Sequence, residues 1–250
     1  MRRRGTTRKL NTTGQPINSV TAAGSLDVSA VFTSKPAGIG FRSDGLKMNL
    51  VSDAATSYVY QFTLSTAFDI TTATYDNLKV AHPVANPLNL KVKDDYFYVG
   101  RSTMKKYQII NTNDISASTD TGDSFIFQEQ GFGWGFDLNA ERTKAYSMNS
   151  FNNGIKTFVL NPTNTLSSAV INTESLSYGT SSFGMSFYNS GKNLVVGGVK
   201  HYKLTTPYNL NTAIQLTDLN TFAGRGVFVN DTARKIYISD AANSYYQYNY

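Results

Sequence analysis

Apolar and polar residues alternate in short bursts along most of the chain, and the bursts recur. A period of two puts successive side chains on opposite faces of an extended backbone, so each burst predicts a β-strand with one buried face. One spelling, apolar-x-x-aromatic-x-apolar, returns as VYQFTL from 59, MKKYQI from 104, IKTFVL from 155, VKHYKL from 199 and YYQYNY from 245. Its aromatic members Phe62, Tyr107, Phe158, Tyr202 and Tyr248 are separated by 45, 51, 44 and 46 residues. Before each copy, a short strand ends near Phe41, Leu90, Phe136, Phe187 or Phe228. Turn residues follow: Ser43-Asp44-Gly45, Asp94-Asp95, Asn139-Ala140, Asn189-Ser190-Gly191 and Asn230-Asp231. Asn, Asp and Gly accept the backbone angles of tight hairpins, so each unit reads as a three-stranded meander.

A tail completes the unit. Leu64 is followed at +4 and +6 by Phe68 and Ile70, and Leu204 by Tyr208 and Leu210; in copies two and three only the +6 position stays apolar, as Ile115 and Leu166. The tail leads into a fourth strand, giving units of propeller-blade size. The fifth copy stops at Tyr250 without a tail, while SLDVSAVF near the N-terminus supplies one, with Leu26, Asp27 and Val28 matching Phe68, Asp69 and Ile70. A repeat cut between its third and fourth strands is what a closed ring requires. The pattern predicts an all-β, five-bladed β-propeller over residues 21–250, its last blade completed by the N-terminal strand. Leu26, Val28 and Phe32 should lie beside Tyr246, Tyr248 and Tyr250, hiding two sheet edges. A β-sandwich gives no reason for the permuted break, and a solenoid would want polar caps where this chain ends in tyrosines.

Composition agrees: 16 Tyr and 15 Phe fill a core between pleated surfaces, and the absence of Cys removes disulfides, thiolate nucleophiles and zinc-thiolate sites. The net charge of +6 is local. Arg2, Arg3, Arg4, Arg8 and Lys9 hold five of the 23 basic residues, which leaves 18 against 17 acidic ones elsewhere. A nucleic-acid footprint belongs on the folded domain, so none is expected on the propeller body. No segment has the apolar length of a secretory leader or a membrane span.

Catalytic candidates are sparse. His201 stands where other copies have Gln61, Lys106, Thr157 and Gln247, and reads as one more polar residue at a tolerant strand position; His82 precedes Pro83 in an inter-blade link. Neither has a partner at metal-ligand spacing. Asp137 is the one acid adjoining an innermost strand and reads as a turn or blade-edge residue, whereas glycoside hydrolysis needs two carboxylates. GFGWGF and GRGVF lack nucleotide-binding spacing; their glycines suit close approach of crowded strands. Trp134, the single Trp, reads as core packing ahead of sugar stacking. No catalytic, cofactor-binding or metal residue is assigned, and the chain is expected not to be an enzyme.

Residues 1–20 are basic, rich in Thr and Asn and poor in large apolar groups, so they read as a flexible arm whose Arg2, Arg3, Arg4, Arg8 and Lys9 dock on an acidic partner. The stretch GIGFRSDGLKM with VYQFTLSTAFDITTATY resembles the repeats of propeller proteins from marine bacteriophages and some bacterial surface proteins, closely in the first blade and partly in the fourth. The resemblance implies a non-enzymatic virion component of tail, portal adaptor or capsid exterior, assembled in host cytoplasm with other virion proteins as partners. The alternative is a lectin-like propeller binding a surface glycan, against which the loops SDAATS, GRSTM, NSFNNG, GG and SDAANS diverge, only blades one and five sharing theirs.

Overall fold

The computed structural model describes residue 17 and residues 19–93, 95–127, 133–149, 154–179, 183–197, 199–219, 224–240 and 242–250. Strand β1 (Thr21–Asp27) comes first. Blade one follows as β2 (Pro36–Phe41), β3 (Lys47–Ser52), β4 (Ser57–Leu64) and β5 (Ala73–His82). Blade two is β6 (Asn89–Lys93), β7 (Tyr96–Gly100), β8 (Thr103–Gln108) and β9 (Thr119–Ile126). Blade three is β10 (Phe136–Leu138), β11 (Lys144–Asn149), β12 (Gly154–Val159) and β13 (Val170–Ser177). Blade four is β14 (Met185–Tyr188), β15 (Asn193–Val196), β16 (Lys200–Leu204) and β17 (Ala213–Gln215). Blade five is β18 (Val227–Asn230), β19 (Lys235–Ser239) and β20 (Ser244–Asn249), with β1 as its fourth strand. Every pairing is antiparallel, so the five-bladed propeller and its closure by the N-terminal strand stand as expected.

Closure has a register. Leu26 pairs with Tyr245, Ser25 with Tyr246 and Ala22 with Tyr248. Val28 and Phe32 lie past the strand: the Val28 N–H donates to the Asn243 carbonyl at 3.0 Å, and the Phe32 ring sits 4.7 Å from Tyr60 and 6.4 Å from Tyr245. Tyr248 and Tyr250 pack into the cluster between blades four and five.

The expected match of Leu26-Asp27-Val28 to Phe68-Asp69-Ile70 is off by eleven residues. Phe62 pairs with Tyr75 in blade one and its repeat equivalent Tyr248 pairs with Ala22, so the counterpart of Ile70 is Ile17. Ile17 is buried, as are Ile70, Ile115, Leu166 and Leu210 at the short 3-10 turns before the other fourth strands. Both stretches are short and similarly patterned, so spelling alone slips where backbone pairing does not.

Apolar clusters fill the spaces between successive blades, each drawing residues from two neighbours. At the axis the innermost strands approach closely, which is why glycine recurs there. A Cβ on Gly38 would stand 2.2 Å from the Leu90 nitrogen, and one on Gly226 would stand 2.1 Å from the Ala37 carbonyl oxygen.

Candidate functional site

Strands β2, β6, β10, β14 and β18 line the axis without pairing to one another, so their inward backbone groups need partners from elsewhere. Side chains supply them. Asp137 on β10 accepts through Oδ2 from the Phe187 N–H of β14 at 2.9 Å, and through Oδ1 from its neighbour Leu138 at 2.8 Å. The Ser186 hydroxyl accepts from the Val229 N–H of β18 at 3.1 Å. Tyr245, fully buried, accepts from the Ala37 N–H at 3.3 Å and reaches the Gly38 and Val51 carbonyls, tying blade five to blade one.

Lys91 on β6 crosses the axis. Its ammonium donates to the Met185 carbonyl of blade four at 2.9 Å and stands 3.3 Å from the Asp137 carboxylate of blade three. Both side chains are nearly fully buried, at 3% and 5% exposure. Burial pushes the Lys91 pKa down, and the adjacent Asp137 carboxylate opposes that fall. Asp137 is therefore an axial residue, not the turn or blade-edge residue its sequence position suggested. Lys91 was missed. A signal for it existed: in a repeat alignment Lys91 and Asp137 occupy equivalent positions, opposite Tyr98 and Tyr146 on the next strand, and carry opposite charge.

The pair floors a cavity of about 280 Å³ at the mouth where the innermost strands end. Its wall is aromatic on one side: Phe41 lies 5.6 Å from Phe68 and 5.3 Å from Phe228. Arg42 and Lys93 also line it, and neither meets a carboxylate at ion-pair distance among the described residues. Three cations therefore face one carboxylate, in a recess whose low-dielectric walls strengthen the field on a small anion. An ammonium has three donors and Lys91 commits two, leaving one for a ligand oxygen.

The remaining candidates fall elsewhere. His201 is fully buried, its Nε2 2.6 Å from the Tyr188 hydroxyl, which in turn accepts the Ile17 N–H at 3.1 Å. It is a closure residue, not one more polar residue at a tolerant strand position. His82 ends β5, buried, with neither ring nitrogen bonded among the described residues. Burial lowers both histidines to about 4. Trp134 is half-buried, 5.3 Å from Phe183 and covered by the Arg101 guanidinium at 4.7 Å. Arg2, Arg3, Arg4, Arg8 and Lys9 lie outside the described residues.

Fold and site together define a five-bladed propeller with a cationic, aromatic-walled axial recess. No protein-family model matches the chain and no curated protein is similar to it. A solved structure from Bacteroides uniformis, described as a "putative 6-phosphogluconolactonase", matches with a TM-score of 0.50 and 14% identity over 82% of this chain and 64% of that one. A Lactobacillus plantarum protein matches with a TM-score of 0.47 and 13% identity over 81% of this chain and 63% of its own. The chain thus spans less than two thirds of either, and at these identities the likeness establishes fold alone.

Two expectations are corrected. The structure with this fold is described as a bacterial enzyme and not as a phage component or a lectin, so neither the non-enzymatic virion assignment nor its lectin-like alternative is supported. The exclusion of enzymatic activity falls with them, since the propeller fold hosts enzymes as well as scaffolds. The exclusion rested on counting acids near strands, which overlooked a lysine and an aspartate brought together from blades two and three.

Proposed function

We propose that the axial recess binds a small anionic sugar derivative, a phosphorylated or carboxylated monosaccharide, and that opening of a sugar lactone is the reaction it supports. The observation carrying this reading is the grouping of Arg42, Lys93 and Lys91 against an aromatic wall in a cavity sized for one ring. Arg42 and Lys93 would hold the anionic tail, and the phenylalanine faces would take the C–H surface of the ring. The free Lys91 donor would stabilise the oxygen on which negative charge develops as water adds to the lactone carbonyl. The ring C–O bond then breaks, the ring oxygen takes the proton released by the water, and a hydroxy acid results. The Bacteroides protein's description makes 6-phosphogluconolactone the first substrate to assay.

Calorimetric titration with 6-phosphogluconate is expected to show saturable one-site binding, weakened about tenfold or more in Arg42→Ala/Lys93→Ala through loss of charge-assisted hydrogen bonds. Lactone hydrolysis above the spontaneous rate should be measurable in the unmodified protein and lost in Lys91→Gln. Absence of saturable binding at millimolar ligand would overturn the assignment.

A further inference from the structure

The opposite mouth, where the innermost strands begin, carries a second groove of different chemistry. We propose that it binds a tetrahedral oxyanion, the phosphate or sulfate group of an ester or the free ion. The groove has a volume of about 600 Å³, and its lining includes Ser34, Lys35, Asp53, Arg101 and Arg225. It shares no residue with the axial recess, and β2, six residues long, separates the two by about 20 Å at ~3.3 Å per residue.

Three cations again face one carboxylate, but here the carboxylate is committed. Asp53 is paired to the Arg225 guanidinium across the seam between blades one and five. Lys35 and Arg101 meet no carboxylate at ion-pair distance among the described residues. The Ser34 hydroxyl is buried and has no hydrogen-bond partner among them. A buried hydroxyl without a partner is costly, and an oxyanion oxygen would accept its proton.

The two guanidinium groups are held before any ligand arrives. Arg101 follows β7, and its guanidinium lies on the Trp134 ring, itself packed on Phe183. The backbone of blade three approaches the Arg101 carbonyl so closely that a Cβ on Gly133 would stand 2.6 Å from it. The Lys35 carbonyl accepts the Asp53 N–H at 2.8 Å, anchoring the residue at the start of β2. Arg225 donates its N–H to the Ser239 carbonyl at 3.0 Å and is further oriented by Asp53. Guanidinium forks match two oxygens of a tetrahedral anion at once, and little side-chain freedom remains to be lost on binding.

The test is a ¹H–¹⁵N NMR titration of the full chain with inorganic phosphate, then sulfate, at ionic strength held constant with chloride. Saturable shifts are expected at Ser34, Lys35, Arg101 and Arg225, distinct from any at Arg42 and Lys93. Lys35→Ala/Arg101→Ala should weaken that set about tenfold or more, Arg42→Ala/Lys93→Ala should leave it unchanged, and Lys35→Glu should abolish it with the spectrum otherwise folded. Shifts confined to the axial recess, shifts linear in anion concentration, or an unaltered midpoint in the first double variant would each refute the site. Failure here leaves the recess unaffected, because its own variants report separately.

Discussion

Lys91 and Asp137 each meet two demands. As ions they neutralise one another in a place that excludes water; as hydrogen-bonding groups they satisfy backbone atoms of strands that cannot pair across the axis. Removing one partner strands the other's charge, which costs about 3–5 kcal/mol, more than the intact pair contributes over neutral groups of like shape. Lys91→Met should therefore lower stability by about that amount. Asp137→Asn added to it keeps an acceptor for the Phe187 N–H while removing the orphaned charge, so the double variant should regain at least half of the loss. Urea denaturation of the four proteins of this cycle measures the coupling. Simple additivity would mean that charge pairing is not what holds these residues.

Within a blade, the hairpin turn and the tail are one device. Gly45 adopts φ +72° in the first turn, and Phe68 folds back over it at φ 58°, donating its N–H to the Gly45 carbonyl at 2.9 Å. Gly191 and Tyr208 repeat this in blade four, at φ +78° and 57° with a 2.9 Å bond. A Cβ at either glycine would stand 2.4 Å from the ring above it. Blade three keeps the backbone bond, Asn164 to Arg142 at 2.8 Å, with asparagine in place of the aromatic, and there the turn residue carries a side chain. Gly45→Ala should therefore cost about 1–3 kcal/mol in urea unfolding, combining left-handed strain with the displaced ring. A loss below about 0.5 kcal/mol would show that the ring yields freely. This coupling explains why the repeat was legible. Phe68 and Tyr208 appear where glycine precedes them and vanish where it does not, so the spelling VYQFTL with its tail records a contact and not only a strand. The axial site was less legible because it is built between blades. Lys91 sits in a strand whose neighbours Leu90 and Val92 face the opposite blade gap, and nothing local reveals that Met185, some ninety residues on, lies within reach.

Across the whole ring, the N-terminal segment is held at Ile17 as well as along β1. In three of the four other seams the first N–H of the 3-10 turn is captured by a polar side chain of the preceding blade: Gln247 takes Ile70 at 3.1 Å, Gln61 takes Ile115 at 3.0 Å, and Asp123 takes Leu166 at 2.9 Å. At the closing seam His201 acts through Tyr188. The hydroxyl accepts from Ile17 and keeps its own proton to donate; burial favours a neutral His201, and with the proton on Nδ1 its Nε2 accepts from Tyr188. Around Tyr188 stand Tyr250, Asp231 and Arg234. Since burial lowers both His201 and His82 from 6.5 to about 4, the unfolded chain binds protons first as pH falls. Their contribution to stability is complete above about pH 6.5, declines by roughly 1.4 kcal/mol per pH unit for each histidine, and is lost by about pH 4. His201→Gln installs the residue that the protein itself uses at Gln61 and Gln247, so the fold should persist while the acid slope of the urea-unfolding free energy between pH 6.5 and 5, above the range where the paired aspartates contribute, falls by about half. An unchanged slope would place the acid sensitivity elsewhere and remove His201 from the closure of the ring.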